Sequence, residues 1–124
     1  MSGLAVRRVL LGAWTILLAW MLFPWRDLLN HPHWMNVVWI PFAPPVRVRD
    51  IAANVLFFVP LGLLARTSRN APIPIWVVLA LSALMSVVAE SMQLFTHTRV
   101  PSATDVAANV MGAAAGCWLA RFVT

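Results

Sequence analysis

Three features of this 124-residue chain point to an all-α membrane protein built as a four-transmembrane-helix bundle. The chain is 61% hydrophobic and only 10% charged, where soluble globular domains run at about 25% charged. Its apolar residues fall into four runs bounded by charges or prolines, and its few acidic and amide side chains recur near the run ends. A soluble fold of this size has too little interior to hide so much apolar surface. Lipid as solvent removes that difficulty.

The net charge of +5 does not signal nucleic acid. The nine basic residues are all Arg and are spread along the chain rather than gathered into a patch. They stand mostly beside apolar runs, where Arg marks a membrane boundary and snorkels to the headgroups.

The first run, residues 9–25, follows Arg7-Arg8 and ends at Pro24-Trp25-Arg26-Asp27. It has the charged start of a signal peptide but a long core, a bulky end and no small-residue cleavage site. It reads as an uncleaved signal-anchor span. Residues 26–49 form a connector in which Pro41, Pro44 and Pro45 oppose a continuous helix. Trp34 and Trp39 suit a segment lying at headgroup level. The remaining spans are 51–65, 73–95 and 106–120, joined by short loops, so consecutive spans are antiparallel neighbours. Together they form one membrane domain, 1–124. Fifteen residues cover roughly 22 Å, short of a hydrocarbon core of about 30 Å. This draws Asp50 and Asp105, just outside the second and fourth spans, to the hydrocarbon edge.

An internal repeat links those two spans. Asp50-Ile-Ala-Ala-Asn54-Val55 matches Asp105-Val-Ala-Ala-Asn109-Val110, and the register runs ungapped to Arg66 and Arg121, with eight of 17 positions identical. One span lies between them, so they run in the same direction. This predicts two parallel, pseudo-repeated hairpins related by an axis along the membrane normal. The alternative is two short helices that merely share boundary signals.

On the third span Ser82, Ser86, Glu90, Gln93 and His97 follow helical spacing and share one face. A carboxylate inside a membrane helix costs about 2.5–3.5 kcal/mol at the centre and less near the edge. It therefore demands a partner, a proton or a wet cavity. Chain connectivity brings Asp50, Asn54, Glu90, Gln93, Arg99, Asp105 and Asn109 to one membrane face, with Arg99 the natural counter-charge for Glu90 or Asp105. Two compatible readings stand: a polar network that locks the helices together, and a ligand-binding or catalytic site. Gly112 and Gly116 form a GxxxG pattern on the fourth span, allowing close packing against another span, with homodimerisation as the alternative. Pro60 removes a hydrogen bond from the second span. Cys117, the lone cysteine, reads as a small packing residue. His31, His33 and His97 match no metal-binding spacing, so neither a metal nor a cofactor is assigned.

Several of these residues carry a resemblance. Asn36-x4-Pro41-Phe42, Asp50-x3-Asn54-x2-Phe57-x2-Pro60-Leu61-Gly62, Glu90-x2-Gln93, Arg99 and Asp105-x3-Asn109-x2-Gly112 look like the VanZ-like family, from about residue 36 to the C-terminus. Ala89 stands where that pattern often favours Ile. The resemblance implies a small multi-spanning protein of the bacterial cytoplasmic membrane, with a founding member that confers low-level teicoplanin resistance by an undefined mechanism.

With the N-terminus inside, Arg7, Arg8, Arg66, Arg69 and Arg121 are cytoplasmic, and Arg26, Arg47, Arg49, Arg99 and all four acids are external. The leading Arg pair favours cytoplasmic N- and C-termini. The polar cluster then faces outward and is expected to receive a cell-envelope, lipid-linked or glycopeptide-type ligand. Three alternatives stand beside this one: an enzyme using Glu90 or Asp105 on a lipid-linked substrate, a proton-coupled transporter, and a purely structural subunit. No nucleophile for the enzyme is evident.

Overall fold

The computed structural model describes residues 2–25, 28–67 and 72–123. Arg26, Asp27 and Arg69, which enter the charge count above, lie outside the described residues. Among the described residues there are four α-helices and no strand: α1 (Gly3–Leu22), α2 (Val48–Arg66), α3 (Ile75–Gln93) and α4 (Ala103–Leu119). Single 3₁₀ turns occupy Trp34–Asn36 and Ala120–Phe122.

Local chemistry sets the helix ends. Ser2 caps α1 by accepting a hydrogen bond from the Ala5 amide, and α1 stops just ahead of Pro24. It therefore starts six residues before the apolar run, and Arg7 and Arg8 belong to its first turns. The helix α2 begins two residues before Asp50, and α4 two residues before Asp105, so each aspartate sits in a first turn. There a carboxylate faces the positive end of the helix dipole. At 19 residues, α2 is about 28 Å long and close to the hydrocarbon thickness. Both helices thus begin ahead of the apolar runs that follow their aspartates. Arg66 ends α2 and donates to the Ile73 carbonyl at 3.0 Å, while the Ile73 amide donates to the Ala65 carbonyl at 3.1 Å, tying the end of α2 to the residues that lead into α3.

The helices α1, α2 and α3 are each long and apolar enough to cross a membrane. The apolar window of α1 is only 6% buried within the protein, and those of α2 and α3 are 22% and 28% buried. Most of this apolar surface therefore faces outward, as lipid permits and water does not. The interior is small and centres on Leu18, Phe58, Leu61, Ala65, Val78, Ala113 and Cys117.

The tightest packing joins α2 to α4. Gly62 lies against Ala113 and Cys117, Gly112 against Val55, and Gly116 against Val59, in each case backbone on backbone. Residue numbers rise together along the seam, so the two helices run in the same direction. The GxxxG glycines are thus used inside the chain. The thiol of Cys117 points at the Gly62 carbonyl, 3.7 Å away, as expected of a small residue in a seam. Pro60 leaves the Leu56 carbonyl without its helical donor, and the Trp14 indole of α1 donates to the adjacent Phe57 carbonyl at 2.9 Å.

Candidate functional site

The polar stripe of α3 turns inward. Ser82, Ser86, Glu90 and Gln93 are all buried, with Glu90 9% exposed. Both serine hydroxyls donate back to the preceding turn, Ser82 to the Val78 carbonyl and Ser86 to the Ser82 carbonyl, each at 2.7 Å. The stripe ends at Gln93, because α3 stops there. His97 lies beyond the helix in the exposed loop and does not extend the stripe.

Two side-chain bonds join this stripe to α4. Glu90 Oε2 accepts from the Ser102 amide at 2.6 Å. Ser102 is the N-cap of α4, and its hydroxyl accepts from the Thr104 amide at 3.1 Å. Deeper in the protein, Asn109 Nδ2 donates to Ser86 Oγ at 3.0 Å. Asn109 is 1% exposed, and its Oδ1 is buried without a hydrogen-bond partner. An orphaned amide oxygen in a dry interior is costly.

The α2 side supplies the rest. The Asn54 amide faces the Asp105 carboxylate across the α2–α4 interface, and Asp50 lies close enough to repel it. Asp50, Asn54 and Asp105 are half-buried and form a rim, whereas Glu90, Gln93 and Asn109 lie deeper. Arg99 departs from the expected arrangement. Its guanidinium donates to the Met21 and Leu22 carbonyls at 3.3 Å each. Those are among the unpaired carbonyls at the negative end of α1, so α1 takes the cation that the sequence reading gave to Glu90 or Asp105. Both acids feel Arg99 only at longer range.

The connector covers this end of the bundle. The Val38 amide donates to the Pro101 carbonyl and the Ala103 amide to the Val38 carbonyl, each at 2.9 Å. Phe42, at φ 60°, donates its amide to Thr104 Oγ1 at 2.9 Å. The Leu29 amide donates to the Phe95 carbonyl at 2.6 Å and the His33 amide to the Leu94 carbonyl at 2.7 Å. Trp34 and Trp39 remain exposed along the outer side of this strap. Desolvation first, then the neighbouring His97 and His31, holds the His33 imidazole below its ordinary pKa. Sequence reasoning placed the strap at the interface but missed its docking onto α4, where Thr104 gave no signal.

An apolar groove of about 390 Å³ runs between Leu28, Leu29, Val88, Ser91, Met92 and Phe95. Its α3 residues lie on the side of the helix opposite Glu90. It is therefore not the mouth of the polar cluster.

Buried carboxylate and amide groups at one end of an outward-facing apolar bundle, closed by a strap, define a small multi-spanning membrane protein. The VanZ/LLP1 family model matches residues 8–124, essentially the whole chain, and the chain belongs to that family. No curated protein and no solved structure matches it.

Proposed function

We propose that the cluster of Asp50, Asn54, Glu90, Gln93, Asp105 and Asn109 is an outward-facing site for a cell-envelope molecule, with a lipid-linked or glycopeptide-type ligand as the expected class. In this reading α4 is a fourth span, extended by the turn through Phe122, and the parallel α2–α4 pair is the core of two repeated hairpins. The N- and C-termini lie in the cytoplasm of a bacterial cell, and the strap lies at the outer leaflet.

The observation that carries the proposal is the buried, unpartnered Asn109 oxygen beneath the half-buried rim of Asp50, Asn54 and Asp105, while Arg99 is engaged by α1. A cluster rich in carboxylate and amide acceptors favours a ligand that brings hydroxyl or amine donors, as sugars and amino-bearing glycopeptides do. Asn54 and Gln93 orient such groups, and the unpartnered Asn109 oxygen is a further acceptor. The acyl part of the ligand stays in lipid.

A structural role for the same residues is favoured by a different pair of contacts. Glu90 with the Ser102 amide, and Asn109 with Ser86, tie α3 to α4 whether or not a ligand binds. Glu90→Gln and Asp105→Asn separate the two readings. Binding predicts that both variants reach the membrane at wild-type levels and lose any glycopeptide tolerance the protein confers. Unchanged tolerance in both would remove the binding proposal, and reduced assembly would favour the structural one.

A further inference from the structure

His97 lies 64 residues beyond His33 in the sequence, yet the fold gathers it with His33 and His31 at one point. Ring centres are 4.8 Å apart for His31 and His33, 4.5 Å for His33 and His97, and 6.1 Å for His31 and His97. Backbone bonds build this juxtaposition. The amides of Leu29 and His33 donate to the Phe95 and Leu94 carbonyls, pinning the connector to the turn that ends α3, and Pro32 stiffens the chain between His31 and His33. His33 Nε2 is buried and has no hydrogen-bond partner. A buried imidazole nitrogen in that state calls for an acceptor of its lone pair or its proton.

Three imidazoles that ligate one zinc-class ion at about 2.0–2.1 Å in tetrahedral geometry place their ring centres about 5 Å apart. The observed separations bracket that value. The described side chains do not form a ready cage. However, His31 and His97 are exposed, and exposed side chains change rotamer freely, while His33 is half-buried with its backbone pinned to Leu94. We propose that His31, His33 and His97 form a transition-metal site, with His33 as the fixed ligand and the other two rings closing onto the ion by rotation. Neutral nitrogen donors without a carboxylate favour zinc, copper or nickel over magnesium or calcium. A bound ion would staple the strap to the α3–α4 loop and leave a fourth position open to water. None of this depends on the envelope-ligand proposal.

The test uses the full chain, purified in detergent with a histidine-free tag and titrated with zinc chloride by calorimetry. One zinc per chain is expected. Loss of a mere outer-shell partner already costs about 10–100-fold in metal affinity, so His31→Ala, His33→Ala and His97→Ala should each weaken binding at least about tenfold. His97→Cys supplies a new ligand. It should retain binding and give the cobalt-loaded protein a thiolate-to-metal charge-transfer band that the wild type lacks. That band would place the ion at residue 97 even if an alanine variant failed to fold. No zinc uptake by the wild type, or uptake that survives replacement of all three histidines, would overturn the proposal. So would a His97→Cys variant that binds zinc without the cobalt band.

Discussion

Along the α2–α4 seam, Gly62, Gly112 and Gly116 bring two backbones together with no side chain between them. Toward their N-terminal ends the same two helices meet through side chains, with Asn54 reaching Asp105. At that end, too, the Ser102 amide donates to Glu90 of α3, Thr104 Oγ1 accepts from the Phe42 amide of the strap, and the Ala103 amide donates to the Val38 carbonyl. The contrast has a physical origin. Lipid offers no hydrophobic drive between helices, so the seam is stabilised by close van der Waals approach. The rim is half-buried, and there polar groups find partners or water. The seam should therefore resist any added volume, while the rim should tolerate changes of size but not the loss of an acceptor.

The largest effect should come from the seam. A Cβ at Gly116 would run into the Val59 carbonyl, so Gly116→Val should separate α2 from α4. The expected cost is about 3 kcal/mol or more, read as collapse of the monodisperse peak on size exclusion and an early unfolding transition in denaturing detergent. Gly12 has open space around its Cβ position, and Gly12→Ala should leave both readouts unchanged or slightly improved. Equal behaviour of the two variants would dissolve the distinction between seam and surface.

A smaller loss is expected where Glu90, just beneath the rim, meets the start of α4. Glu90→Leu strands the Ser102 amide and should cost about 1–3 kcal/mol, whereas Glu90→Gln keeps an acceptor and should recover most of it. Comparing the two unfolding midpoints isolates the hydrogen bond from the volume. If Leu proves as stable as Gln, the α4 cap does not depend on residue 90.

The smallest effect should appear where α1 leans on α2. Trp14→Phe removes the indole bond to the Phe57 carbonyl and should cost about 0.6 kcal/mol, the typical worth of such a bond in a membrane. A loss several times larger would mean that α1 is part of the tight core and not an outer helix.

Much of the fold was legible residue by residue. The apolar runs, the charges bounding them and the stripe of Ser82, Ser86, Glu90 and Gln93 are local signals, and the structure turns that stripe inward. The single span between them anticipated that α2 and α4 run in the same direction. Three things were not legible. Arg99 could have met a carboxylate or a helix end, and only the position of α1 decides between them. The GxxxG pattern permits a partner inside or outside the chain. The histidines are separated by 64 residues between His33 and His97, which hides their meeting from any reading of spacing.

The sequence by itself determined that this chain belongs in lipid, where its helices fall and which of their faces are polar. Transfer into hydrocarbon and helical periodicity are properties of each segment alone. Only the tertiary structure decided which polar group meets which: Glu90 with the Ser102 amide, Arg99 with the end of α1, and the strap with Thr104. A hydrogen bond depends on distance and angle between atoms from different segments, and those are set only once the helices have packed.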